Sequence, residues 1–300
     1  MMDRMQSGQT VILDGGTGTE LETRNVPMNA AWCSIASVSN PDDVTQVHLD
    51  YINAGAEMIT ANTFASSRLM LNHAGLGDRI EEIITASMDC VKRARDAAGK
   101  DVAIAGSISH MIPIAPGSDN DFLAIPEADV VRDAFAEIAN LLHKNGADFI
   151  ALEMMYDLTR APLAIEAAAA TGLPVWCGMS VRRGADDSIV CFTKNEDVPF
   201  DDLWDVIDHS KLAAAGFMHS HVDITGRAIE RLKTRWDGPL IAYPDSGYFK
   251  SPVWQFVDII EPADLVSYAR EWHKLGVRGI GGCCGLGVKH IEALAAADWP

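Results

Sequence analysis

Cationic residues are scarce in this chain of 300 residues: 24 lysines and arginines stand against 42 aspartates and glutamates, a formal net charge of −18. So acidic a surface repels nucleic-acid phosphates and anionic membranes and excludes both as main partners. It leaves open the steering of cationic small molecules. No apolar run reaches the ~18 residues needed to span a bilayer. The stretch Met1–Thr10 is polar and lacks the apolar centre of a secretory leader. The protein is therefore expected in the cytoplasm, with its six cysteines reduced. Four of them stand singly (Cys33, Cys90, Cys177 and Cys191), while Cys283 and Cys284 are adjacent, where a disulfide would close a strained small ring. A G-x-G-x-x-G phosphate turn is also missing. The run Asp14-Gly15-Gly16-Thr17-Gly18 has another spacing, and no acidic residue closes a second strand about 20 residues later, which argues against an open doubly wound sheet.

What is present is a rhythm. Short apolar or β-branched runs recur at Val11–Gly16, Met58–Phe64, Asp101–Ser109, Asp148–Met155, Pro174–Val181, Leu212–Ser220, Pro239–Gly247 and Val277–Gly285. Between them, apolar residues spaced by three and four predict helices over Val44–Ala54, Ile80–Ala98, Glu127–Lys144, Arg160–Ala170, Asp223–Thr234, Pro262–Leu275 and Val288–Ala297. Gly55, Gly146, Gly172 and Gly276 sit where helices end before strands. Eight strands alternating with helices predict a single (β/α)8 barrel over residues 1–300. Gly106–Asp121 reads as a long loop after the third strand, and Ser188–Pro199 as an irregular segment after the fifth.

In such a barrel the active site lies at the C-terminal ends of the strands. The reactive residues predicted there are Asp14, Asn62, Thr63, Glu153, His219, His221, Asp245, Cys283 and Cys284. The densest signal is Gly281-Gly282-Cys283-Cys284-Gly285. A lone free cysteine is most often a buried small hydrophobe. Two thiols flanked by unhindered glycines can instead turn toward one soft-tolerant cation, and zinc takes thiolate and imidazole with one position left open in catalytic sites.

That run resembles the GGCCG signature of the homocysteine S-methyltransferases. The opening Ile12–Leu21 (ILDGGTGTEL), the second unit His48–Phe64 (HLDYINAGAEMITANTF), Ala151-Leu152-Glu153, Tyr243–Gly247 (YPDSG) and Trp272–His290 resemble the family in its order. The likeness runs from about Val11 to Leu294. It implies a zinc-activated thiol, homocysteine, that accepts a methyl group from a small sulfonium or quaternary ammonium donor and gives methionine. It implies zinc held by three protein thiolates, two of them Cys283 and Cys284. The third is expected from a G-x-N-C segment at the sixth strand, where this chain has Gly216-Phe217-Met218-His219, so His219 would be the ligand and His221, two residues on, the alternative. Asp14 and Glu153 would bind the substrate ammonium, and the amides near Asn62 and Thr63 its carboxylate. Trp32, Phe64, Tyr248 and Trp254 are candidates to face a cationic donor through cation–π contact, or else to pack in the core. The altered ligand segment leaves open a different thiol acceptor or a barrel that only binds small molecules. A homo-oligomer is also left open.

Overall fold

The structure is a computed structural model that describes residues 1–114, 122–250 and 255–299, without the side chains of residues 249, 250 and 255. Its centre is a sheet of eight parallel strands: β1 (Val11–Ile12), β2 (Met58–Thr60), β3 (Ala103–Ser109), β4 (Phe149–Met155), β5 (Val175–Met179), β6 (Ala214–His221), β7 (Leu240–Asp245) and β8 (Val277–Ile280). The hydrogen-bonded order is β1-β8-β7-β6-β5-β4-β3-β2, so sequential strands are neighbours and the two ends of the order are β1 and β2.

Between β1 and β2 no ladder forms, and two acidic residues close the gap. At its lower end the Glu57 N–H donates to the Ile12 carbonyl at 2.8 Å, and the Glu57 carboxylate accepts the Ile12 N–H at 3.1 Å. At the upper end the Asp14 carboxylate accepts the Thr60 N–H at 2.6 Å and the Thr60 hydroxyl at 3.1 Å. Side-chain oxygens thus do the work of missing carbonyls, satisfying backbone groups that burial would otherwise leave unpaired. The order of strands closes on itself as a (β/α)8 barrel, not an open doubly wound sheet.

The predicted helices form with shifts of a few residues at their ends: Pro41–Ala54, Ile80–Ala98, Ala128–Lys144, Arg160–Ala169, Val222–Lys233, Pro262–Lys274 and Val288–Ala296. Ile80–Ala98 shows why. Ile80, Ile83, Ile84, Ser87, Met88, Val91 and Ala94 fall on one buried stripe, and Glu81 and Glu82 in the first turn suit the helix dipole. The four helix-ending glycines all have positive φ.

Two apolar layers result. One lies between strands and helices, and the second fills the barrel, with Val11, Leu13, Met58, Ala105, Phe149, Trp176, Met218 and Ile241. The polar N-terminal stretch forms a short helix, Met2–Gln6, whose Met5 joins that inner layer. The Trp176 Nε1–H points at the Met2 sulfur at 3.1 Å. This helix therefore stoppers the N-terminal mouth of the barrel.

The structure departs from the sequence reading in several places. β1, β2 and β8 stop earlier than their apolar runs, because the chain there leaves the sheet to build the upper rim. The segment 188–199 is not wholly irregular: Ile189–Cys191 pairs antiparallel with Val181–Arg183. A helix, Phe200–Val206, precedes β6 where none was predicted. Of the predicted loop 106–121, residues 106–109 continue β3 and residues 115–121 lie outside the described residues. Among the described residues, no helix is long and apolar enough to cross a membrane.

Replacing Glu57 by Ala leaves the buried Ile12 N–H unpaired and should cost about 1–2 kcal/mol. Arg4→Ala, which removes the exposed Arg4–Glu57 pair and the exposed Arg4 bonds to Gln9 and the Thr10 carbonyl, should cost less, about 0.5 kcal/mol. Urea denaturation of the two variants checks this; equal losses would mean that the seam bond carries no special weight.

Candidate active site

The loop after β8 is fixed from both sides. Gly282 N–H donates to the Asp14 carbonyl at 3.1 Å and Cys283 N–H to the Pro244 carbonyl at 2.6 Å, so the ends of β1 and β7 both hold it. Ser246 N–H in turn donates to the Cys284 carbonyl at 3.1 Å. Gly16 must be glycine for this approach, since a Cβ there would stand 2.7 Å from the Cys283 carbonyl oxygen.

The sixth strand brings the partner. A register shift between Met218 and His221 breaks the β6–β7 pairing, and His219 takes φ +48. Strand alternation therefore fails across this bulge. His219 turns into the barrel mouth with Cys283 and Cys284, and its ring packs edge-on against Phe192 at 5.3 Å. His221 does not share that side as expected: it is half exposed and bonds Asp223 at 2.8 Å.

Cys283 Sγ lies 3.7 Å from His219 Nδ1 and 3.8 Å from Cys284 Sγ. The three ligand atoms all stand within 4.8 Å of one another. Zinc bonds of about 2.3 Å to sulfur and about 2.0 Å to nitrogen set tetrahedral edges of about 3.8 Å and about 3.5 Å. Two of the observed separations are close to those edges, so the donor set fits a zinc ion. The Cys283 sulfur is enclosed, and its thiol is held well above the usual range, first by its bond to Cys284 and then by burial, with His219 working against both.

These residues line one cavity of about 780 Å³, part of it open to solvent. Glu153 lines it; Asp14 does not, and lies behind the wall residues Thr60 and Tyr243. Asp14 is fully buried and pushed up to about 6 by that burial, although the Tyr243 hydroxyl at 2.6 Å and the Thr60 donors pull it down. Glu153 comes from β4, which bulges between Leu152 and Met155 as β6 does. Burial pushes it up to about 8; the Ser107 hydroxyl opposes this, and the Asp14 charge adds to it.

Asn62 lines the cavity, held by the Cys33 carbonyl at 2.8 Å and accepting the Cys33 thiol at 3.0 Å. Thr63 does not line it: its hydroxyl donates to the Ser107 carbonyl at 2.8 Å and is spent joining β2 to β3. Trp32 and Phe64 both face the cavity, stacked at 4.9 Å and 22°. Tyr248 is 57% exposed and is not in the cavity wall, nor is Asp245. Trp254 lies outside the described residues. The sequence reading missed Met28, Cys33, Met154, Tyr243 and Phe256, all in the wall. Of these only Tyr243 stood in a motif that had been singled out. Three of the six non-glycine residues with positive φ among the described residues, Trp32, Met154 and His219, line this cavity, and such backbone strain gathers at functional sites.

The profile described as Homocysteine S-methyltransferase matches residues 11–297. The chain belongs to the homocysteine S-methyltransferase family. Among its relatives, betaine–homocysteine S-methyltransferase 1 of Bos taurus is 27% identical over 98% of this chain and 74% of its own length. Homocysteine S-methyltransferase 2 of Zea mays is 25% identical over 96% of this chain and 89% of its own. The solved structure of the oxidized form of Escherichia coli homocysteine methyltransferase MmuM has a TM-score of 0.78 at 24% identity, over 96% of this chain and 95% of that one. Its metallated form gives 0.74 at 22%, over 96% of each chain. These two structures share the fold. Membership makes the protein a transferase of this family.

The fold holds a proton on Glu153 that the unfolded chain would release above its ordinary value of 4.5. The stability this carries is whole below about pH 4.5 and is lost as pH rises through about 8. In Glu153→Gln that loss is absent, so its melting temperature should fall less than the parent's between about pH 5 and about pH 9. Thermal melts across that range test it, and parallel curves would show Glu153 ionised in the fold.

Proposed function

We propose that this family member moves a methyl group from a small sulfonium or quaternary ammonium donor to the thiol of homocysteine, giving methionine. In this reading zinc is bound by His219, Cys283 and Cys284. The observation that carries it is the spacing of those three ligand atoms at one end of a barrel whose family acts on homocysteine. Zinc, when bound, lets the acceptor sulfur lose its proton near neutral pH, where a free thiol keeps it.

The chain's own residues do the rest. Asp14 and Glu153 take the acceptor ammonium, a charge-assisted contact that draws both carboxyls toward ionisation. Tyr243 holds Asp14 in place through its hydroxyl. The Asn62 side-chain amide is spent on Cys33 and Ser37, so the acceptor's carboxylate is left to the backbone amide there. The acceptor sulfur attacks the methyl carbon with its lone pair, and the bond from that carbon to the donor heteroatom breaks with its pair. The leaving group is then a neutral thioether or tertiary amine, so no general acid is needed. The barrel over residues 1–300 works as one unit, in the cytoplasm.

A second reading is favoured by Met218 and His219 themselves. One imidazole in place of a thiolate lowers the negative charge of the ligand set, so a zinc held there would draw more electron density from the acceptor sulfur. A different thiol acceptor would follow from that weaker nucleophile.

Metal analysis of protein purified without chelator or tag metal should find about one zinc per chain. Cys283→Ser with Cys284→Ser should abolish it, and His219→Ala should weaken it by about 10-fold or more. His221→Ala should leave it unchanged. Retention of zinc by His219→Ala together with loss in His221→Ala would reverse the ligand assignment, and no zinc in the reconstituted parent would sink the mechanism.

A further inference from the structure

Resting on that reading, we propose that the donor side of the cavity takes an onium cation that bears no carboxylate. The walls there are aromatic and thioether. Trp32 and Phe64 stack as one panel, and Met28, Met154 and Phe256 line the same cavity. Trp32 and Met154 both hold positive φ, so the backbone is strained into presenting them. Aromatic faces and polarisable sulfur attract a methylated cation.

The charge around this wall runs one way. Glu153 lines the same cavity, Asp14 stands directly behind its wall residues Thr60 and Tyr243, and the acceptor brings a carboxylate of its own. Among the described residues that line the cavity there is no lysine or arginine. The arginines that follow β4, β5 and β6 lie outside the cavity wall, and each has an ion pair of its own. Arg160 pairs with Asp157 beneath the Phe122 ring. Arg182 is tied to Asp197 and to the Thr193 and Glu196 carbonyls. Arg183 pairs with Asp187 and Asp223, and Arg227 with Asp187. A donor carboxylate would be desolvated against apolar walls and repelled by the acids already present. A donor that is only a cation meets attraction from both sources.

The transfer balances for such a donor. The acceptor sulfur's pair forms the new S–C bond, and the broken C–S or C–N pair stays on the donor heteroatom, which leaves neutral. No proton, oxidant or further reactant is consumed.

The test compares two probes with the same onium head, tetramethylammonium and glycine betaine, binding to the metal-loaded protein in the presence of methionine. Calorimetry should find tetramethylammonium tighter by at least about 10-fold. Trp32→Leu and Phe64→Leu, which keep an apolar wall, should each cut that binding by about 5-fold while methionine binding persists. Betaine binding as tightly as tetramethylammonium, or neither binding, overturns the proposal. Methyl transfer from trimethylsulfonium to homocysteine, read as methionine by mass spectrometry, tests the transfer reading separately. The tetramethylammonium preference without such transfer would leave this inference standing and the transfer reading refuted.

Discussion

One buried carboxylate, that of Asp14, joins the architecture to the chemistry. The barrel closes at the only seam where parallel strands do not form a ladder among the described residues, and Asp14 supplies acceptors there for Thr60. The same side chain accepts from Tyr243 on β7, two strands away, while the Asp14 carbonyl holds Gly282, next to the cysteine pair. A group with that many structural duties cannot be tuned for catalysis alone. Its position above the usual carboxylate range is the cost of burying an acid where a backbone amide needs a partner.

A second pattern concerns how parallel strands aim side chains. Regular alternation would send every other residue into the barrel and the rest toward helices. β4 and β6 break it at their last turn, and both breaks coincide with positive φ, at Met154 and His219. The bulges set Glu153 and His219 against the same cavity from strands separated by β5. Strain at two positions is offset by the packed layers on either side of the strands, which leave the backbone no easy way to relax.

Much of this was legible from residues alone. The eightfold rhythm predicts the barrel because apolar period and helix-ending glycines are local signals, and Ile80–Ala98 comes out with the predicted ends. The cysteine pair, Asp14, Glu153 and His219 stand at strand ends that the rhythm places on one rim. His221 was misread because alternation assumes an unbroken strand, and bulges leave no clear mark in a sequence. Thr63 was misplaced by one residue of register: Asn62 faces the cavity and Thr63 faces β3. Met28, Met154 and Phe256 were invisible for a different reason. An apolar residue in a cavity wall looks like an apolar residue in a core until the third dimension is known.

The loop that carries Cys283 and Cys284 closes against the turn after the first strand, at Gly15 and Gly16. During synthesis, Asp14 and later His219 leave the ribosome long before the last strand does. The rim is thus incomplete until the eighth strand has been made, and the two halves of the site meet only through a loop closure that spans the other strand–helix units. A nascent chain that stalls in its seventh repeat would have most of its core and none of its thiol pair, so the centre matures only after the barrel has its eighth strand.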